Sequence, residues 1–395
     1  MARPENKLAF DGGWEYAPAP ESTDHVRIDK RYGLFIDGEG PETIDHNPGQ
    51  VPLGYLDMQT SALPYHLSPI SQVLVLDAGG GSAVQQAANH AVARIDAVEL
   101  NPQIIALVRE DYADYAGQLY TRPGVHLHVA EARGFLTRTA QQYGLIQLAV
   151  SGGSDAGMHA LSENYTYTVE ALGTYLAHLL PDGYLAINSW IRLPPRDSLK
   201  LLATAAQALR RAGHDTPGDR MAMIRGWQTA TLLVKNSPFT RQEIDRLRAF
   251  NQARAFDLAW YPGMSADEAN RRNILSQPYF YEAARALLGA DSESFMARYK
   301  FDIEPATDNR PYFFNFFRWG VVPEVLELRG QGGLPLLESG YLVLVAALLQ
   351  AAVISVVLIV LPLWGLGGRG GSSQHAVSRA RTVQYFFAIG IALIF

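Results

Sequence analysis

Between residues 71 and 189, apolar runs of four to seven residues alternate with stretches of helical periodicity, and no other feature limits the fold so strongly. A short run without polar interruption is a strand covered on both faces, and strands separated by helices pair in parallel. The pattern predicts strands over 73–76, 95–99, 125–129, 145–150 and 184–188, with helices over 83–90, 102–115, 132–142 and 165–180. Asn101 before Pro102 reads as an N-cap followed by proline at the first helical position, where no donor is lost. A helix over 198–212 and a hairpin joining 221–224 to 229–234 complete the unit. The expected fold class is α/β, a doubly wound, Rossmann-like sheet.

Around this unit, residues 1–67 read as a small N-terminal β extension, with β-like pieces near 31–36 and a turn at Asp37-Gly38. The Rossmann-like domain occupies 68–236, a helical and aromatic-rich flank 237–329, and a Gly-rich linker 330–340. From Tyr341 to Leu363, 23 residues carry no charge. That exceeds the roughly 20 apolar residues a membrane-spanning helix needs, so a transmembrane helix is expected over 341–363. A basic loop over 364–384 follows, and a second, truncated transmembrane helix begins over 385–395, as in a fragment of a longer polytopic membrane protein. Met1-Ala-Arg-Pro-Glu5 has no signal-peptide core, so the large N-terminal part is expected in the cytoplasm. Arg369, Arg379 and Arg381 claim the cytoplasmic side for the loop instead, and the two assignments conflict.

Charge and composition exclude several functions. Up to Glu338 the chain carries 39 acidic and 30 basic residues, the wrong sign for a nucleic-acid binder. The absence of cysteine excludes disulfides, Cys-ligated zinc, iron–sulfur clusters and thiol catalysis. The histidines show no two-ligand spacing on a helix, so no metal is expected. Ser151, Ser154 and Ser162 lack a His/Asp partnership, which argues against a serine hydrolase.

Asp77-Ala-Gly-Gly-Gly-Ser-Ala83 joins the first strand of the alternating unit to its first helix, where a doubly wound sheet holds its ligand. A dinucleotide fingerprint would need glycine at the position of Val84, and no Gly-Lys-Ser/Thr follows for a phosphate loop. Glu99 ends the second strand, 18 residues after Gly81, and a carboxylate there can accept both hydroxyl protons of a ribose. Glu131 ends the third strand at the same rim. Glycine loop, Glu99 and Glu131 together point to an adenosine pocket.

Val73-Leu-Val-Leu-Asp-Ala-Gly-Gly-Gly81, Val98-Glu-Leu-Asn-Pro102, Glu131-Ala-Arg-Gly-Phe-Leu136, Glu163-Asn-Tyr-Thr-Tyr-Thr-Val-Glu-Ala171 and Pro181-Asp-Gly-Tyr-Leu-Ala-Ile187 resemble the successive motifs of the spermidine synthase family, which shares the class I S-adenosylmethionine-dependent methyltransferase fold. Ala306-Thr-Asp-Asn-Arg-Pro-Tyr312 is similar to the closing motif of that family's membrane-fused bacterial branch. The resemblance extends over about residues 33 to 317. It implies S-adenosylmethionine or its decarboxylated form as co-substrate, without a metal. Gly79 and Gly81 would face the aminopropyl or amino-acid chain and the sulfonium, with Asp77 and Gly80 in the same loop; Glu99 would bind ribose, and Glu131 with Ala132 the adenine. Tyr55-Leu-Asp-Met58 is similar to the family's Tyr-His-Glu segment, with leucine at the histidine and Asp57 at the acid.

Aminopropyl transfer needs a carboxylate to hold the amine and accept its proton. Family members carry an aspartate for this at the end of the fourth strand, where this chain has Ser151; the nearby acid is Asp155, taken as the catalytic candidate. Tyr55, Asp57 and Tyr165 are the substrate-binding candidates. Three functions stay open: an aminopropyltransferase acting on a polyamine, a methyltransferase acting on another acceptor by proximity, and a catalytically inactive nucleoside-binding sensor coupled to membrane helices. The partners expected are a small polyamine-type substrate, a bacterial inner membrane, and a second copy of the chain as a homodimer, with no nucleic acid.

Overall fold

The structure, a computed structural model, describes residues 31–36, 39–148, 160–323, 339–361, 384–385 and 387–388. The chain divides into two compact units, Met1–Glu338 and Ser339–Phe395.

The first unit opens with a two-stranded antiparallel sheet, β1 (Arg31–Ile36) and β2 (Glu39–Asp45). After the short helix α1 (Leu63–Leu67) the alternating part begins: β3 (Gln72–Leu76), α2 (Ser82–Asn89), β4 (Arg94–Glu99), α3 (Pro102–Ala106), β5 (Val125–Val129), α4 (Ala132–Leu136), β6 (Tyr143–Leu148), α5 (Val169–Ala177) and β7 (Leu179–Trp190). There follow α6 (Asp197–Arg211), β8 (Met221–Arg225), β9 (Thr229–Lys235), α7 (Arg241–Arg254), β10 (Asp257–Trp260), α8 (Tyr279–Leu288) and α9 (Ser292–Arg298). Eight strands form one sheet in the order β10-β8-β9-β7-β6-β3-β4-β5. Strands β3 to β7 pair in parallel, and β7-β9, β9-β8 and β8-β10 are antiparallel. Val73, Leu74, Val75 and Leu76 of central β3 are fully buried, as an uninterrupted apolar run requires.

Several boundaries differ from the pattern-based expectation for local reasons. The helix expected over 102–115 is α-helical only to Ala106; Leu107–Asp111 is wound as a π-helix, with the Tyr112 amide donating to the Leu107 carbonyl at 2.8 Å. The helix expected from residue 165 begins at Val169, because the Thr168 hydroxyl accepts from the Ala171 amide and caps it there. The flank read as helical contains β10, whose four residues are too short for a periodic signal and become a strand by pairing with β8.

In the second unit, α10 (Ser339–Ser355) runs for 17 residues and passes into a π-helical segment, Val356–Val360. The 17 residues span roughly 26 Å at about 1.5 Å each, against roughly 30 Å of bilayer hydrocarbon. Among the described residues no helix is long and apolar enough to cross a membrane, so the continuous span expected over 341–363 is not found as one α-helix. Most of the expected loop over 364–384 and second helix over 385–395 lies outside the described residues.

Candidate functional site

The chain runs from β3 outward through β4 to β5, then crosses back to β6 on the other side of β3. The C-terminal ends of β3 and β6 therefore flank a topological switch point, where open α/β sheets bind ligands. Asp77 follows β3 directly in the left-handed region, φ +53°, a conformation aspartate tolerates. Gly79 and Gly81 also have positive φ, +50° and +93°, so the chain reverses within five residues from strand to helix.

Glu99 is buried beside this turn. Its Oε2 accepts from the Gly79 amide at 2.9 Å and its Oε1 from the Asn101 amide at 2.8 Å. An ionised carboxylate has about four acceptor positions, so two remain, the number a ribose diol requires. Asp77 is pushed up to about 6 by burial and by the Glu99 and Glu131 carboxylates. Three carboxylates at the ends of three adjacent parallel strands repel one another without a cation between them. That donor set fits a nucleoside carrying a sulfonium or an ammonium.

The protein itself accounts for two of the three glycines. A Cβ on Gly80 would lie 2.3 Å from the Thr43 carbonyl oxygen in β2, and one on Gly81 would lie 2.4 Å from Leu119 Cδ2. Strand β2 thus packs directly on the loop, and the Ser82 hydroxyl fastens it by donating to Asp45 Oδ2 at 2.6 Å. Tyr120, which no sequence signal singled out, is buried and donates to the Gly79 carbonyl at 2.7 Å.

The other expected residues divide. Glu131 stands at the rim as the N-cap of α4: Oε1 accepts from the Arg133 amide at 2.9 Å and Oε2 from the Gly134 amide at 2.6 Å. Ala132 is buried in the first turn behind it. Tyr165 is exposed, and its hydroxyl donates to Glu163 at 3.0 Å. Asp155, with Ser151, lies outside the described residues.

Asp57 is not brought to the glycine loop. Asp57 lies against His90, which caps the far end of α2, roughly 12 Å along an eight-residue helix from Gly81. Its Oδ1 is 2.6 Å from His66 Nε2 and 3.2 Å from His90 Nε2, and Arg254 donates to its Oδ2. Burial alone would raise the carboxyl, but the His66 and His90 hydrogen bonds and the Arg254 charge hold it far below the usual range. Asp57, His66 and His90 are the one set of ligand atoms among the described residues close enough together to hold a metal ion. The Arg254 guanidinium, 3.3 Å from His66 Nε2, supplies the positive charge there, and the group is an ion-pair cluster. Tyr55 is buried against Leu53 and Leu56.

Counted from the first strand of the parallel series, the sheet reads 3-2-1-4-5-7-6 with one added edge strand, a Rossmann-like arrangement of the class I methyltransferase type. The structure is similar to a probable spermidine synthase from Corynebacterium glutamicum ATCC 13032, at 16% identity over 60% of this chain and 82% of that one, with a TM-score of 0.42. It is similar also to a spermidine synthase in complex with the transition state analogue AdoDATO (13% identity, 71% of this chain and 85% of that one, TM-score 0.39). A third likeness is to human methyltransferase-like protein 13 in complex with SAH (14% identity, 53% and 91%, TM-score 0.31). No model of a known protein family matches the chain, and no curated protein matches it.

Proposed function

We propose that the Met1–Glu338 unit is a transferase domain that binds S-adenosylmethionine or its decarboxylated form at the β3–β6 switch point and, from the decarboxylated form, transfers an aminopropyl group to a polyamine. The observation that carries this reading is the convergence of Asp77, Glu99 and Glu131 on the glycine loop, with Glu99 keeping two acceptor positions for a ribose. The bound co-substrate supplies a carbon activated by the sulfonium. A neutral amine nitrogen bonds to that carbon, the C–S bond breaks with its electron pair on sulfur, methylthioadenosine leaves, and the new ammonium gives its proton to a carboxylate. Asp155 is the proposed proton acceptor, and Tyr165 the proposed acceptor-side contact. Glu99 is assigned to the ribose, and Glu131 with Ala132 to the adenine.

Methyl transfer from S-adenosylmethionine is the second reading. It is favoured by the engagement of Asp57 with Arg254, His66 and His90, which leaves that acid no role in holding a polyamine.

Calorimetric titration of the 395-residue chain with S-adenosylmethionine, its decarboxylated form and methylthioadenosine separates these readings. Aminopropyl transfer predicts preference for the decarboxylated form and an affinity loss of about tenfold or more in Glu99→Gln, the scale of a lost charge-assisted hydrogen bond. Preference for S-adenosylmethionine moves the assignment to methyl transfer. Absence of binding by folded protein removes the adenosine pocket.

We further propose that the Ser339–Phe395 unit attaches the protein to a lipid bilayer. Residues 346–358 are exposed without interruption and carry no charge, an apolar surface too continuous for water to cover cheaply.

A further inference from the structure

Segment 306–311 runs along the loop that leads into α5. The Val169 amide donates to the Ala306 carbonyl at 2.8 Å, and the Asn164 amide to the Pro311 carbonyl at 2.6 Å. Between these ties the Asp308 carboxylate reaches two other elements. Arg133 grips it as a fork, Nη1 to Oδ1 at 2.9 Å and Nη2 to Oδ2 at 3.0 Å, while the Thr168 hydroxyl donates to Oδ1 at 2.6 Å. Its own amide donates to Glu170 Oε2 at 3.0 Å, and Glu170 is paired in turn with Arg211.

Each partner of that carboxylate belongs to a different side of the proposed site. Arg133 stands in the turn whose amides Glu131 holds, at the end of β5. Thr168 caps α5 and ends the loop that carries Glu163 and Tyr165. An isolated surface ion pair contributes little. A forked guanidinium–carboxylate pair has a fixed plane, however, and here it shares an oxygen with the hydroxyl that caps a helix. The Arg133 hydrogen bonds, with help from Thr168, hold the Asp308 carboxyl below its ordinary range, so it stays ionised throughout the neutral region.

We propose that Asp308 is a positioning residue that makes the turn 131–134 and the loop 163–168 one unit, so that the nucleoside side and the acceptor side of the site are set together. The proposal rests on the transferase reading for the identity of the two sides, though not for the link itself. It makes the C-terminal flank a part of the site rather than a cover over it.

Hydrogen exchange on the 395-residue chain, with and without methylthioadenosine, tests the link. Asp308→Asn and Arg133→Met are each expected to speed amide exchange about tenfold in both 131–137 and 163–171, with the double variant no faster than either, because all three break one link. In the wild type methylthioadenosine is expected to slow exchange in 163–171 as well as 131–137, and in the variants only in 131–137. Arg133→Lys keeps the charge without the fork and should fall between; it serves the same comparison if Asp308→Asn does not fold. Exchange in 163–171 unchanged by Arg133→Met or Arg133→Lys overturns the proposal. A wild type indifferent to methylthioadenosine, with both segments still opening together in the variants, upholds the link and sinks the transferase reading.

Discussion

Asp77 sits in an environment that costs the protein stability, and its chemistry is open to test. Its carboxyl is raised to about 6 by burial and by Glu99 and Glu131, whereas an unfolded chain ionises it near 3.8. Between those values the folded protein holds a proton that the unfolded chain has released, so stability falls as pH rises from about 4 to about 6 and is level above that. Asp77→Asn should abolish that fall in denaturation curves and stabilise the ligand-free protein by roughly 3 kcal/mol at pH 8. The same change should weaken binding of the cationic S-adenosylmethionine more than that of uncharged methylthioadenosine. A variant with the wild-type pH slope would show that another group titrates. Asp77, Glu99 and Glu131 were legible in the sequence because each ends a strand the apolar pattern already located. Asp308 was legible only as part of a motif: its partners lie 140 and 175 residues away, and no spacing encodes such a contact.

At the scale of elements, the N-terminal hairpin and the glycine loop specify each other. Sequence reasoning gave the glycines to a ligand; the structure fills the space above Gly80 with the backbone of β2. Gly80→Ala would place a methyl group 2.3 Å from the Thr43 carbonyl oxygen, and neither backbone can yield without moving the loop. Such overpacking should cost about 2 kcal/mol or more, read as a lowered denaturation midpoint. A midpoint equal to the wild type's would mean that β2 does not rest on the loop. The central strand β3 was legible because a strand buried on both faces is apolar throughout. Helix ends were less so, since a cap such as Thr168 is decided by one side chain. Strand β10 was not, since the edge of β8 makes it a strand.

For the whole molecule, the charge asymmetry divides the chain at the same place as its packing: every acidic residue lies at or before Glu338, where the first compact unit ends. The helix exposed along 346–358 carries no charge, the kind of surface that marks an interaction site, and the proposed bilayer attachment rests on it. The 395-residue chain is expected to stay with the lipid fraction after alkaline carbonate extraction, and a chain ending at Glu338 to be released. Release of both would refute bilayer attachment, and retention of both would place it in the first unit.

The sequence by itself determined the parallel strands, the turn from β3 into α2 and the acids at the strand ends, because apolar periodicity and chain reversal are local properties written in consecutive residues. Only the tertiary structure decided that β2 covers the glycine loop, that Asp57 joins Arg254 and two histidines far from that loop, and that Asp308 ties Arg133 to Thr168. These are pairings between residues distant in the chain. A carboxylate's sequence neighbours do not reveal which cation or hydroxyl the fold will bring to it.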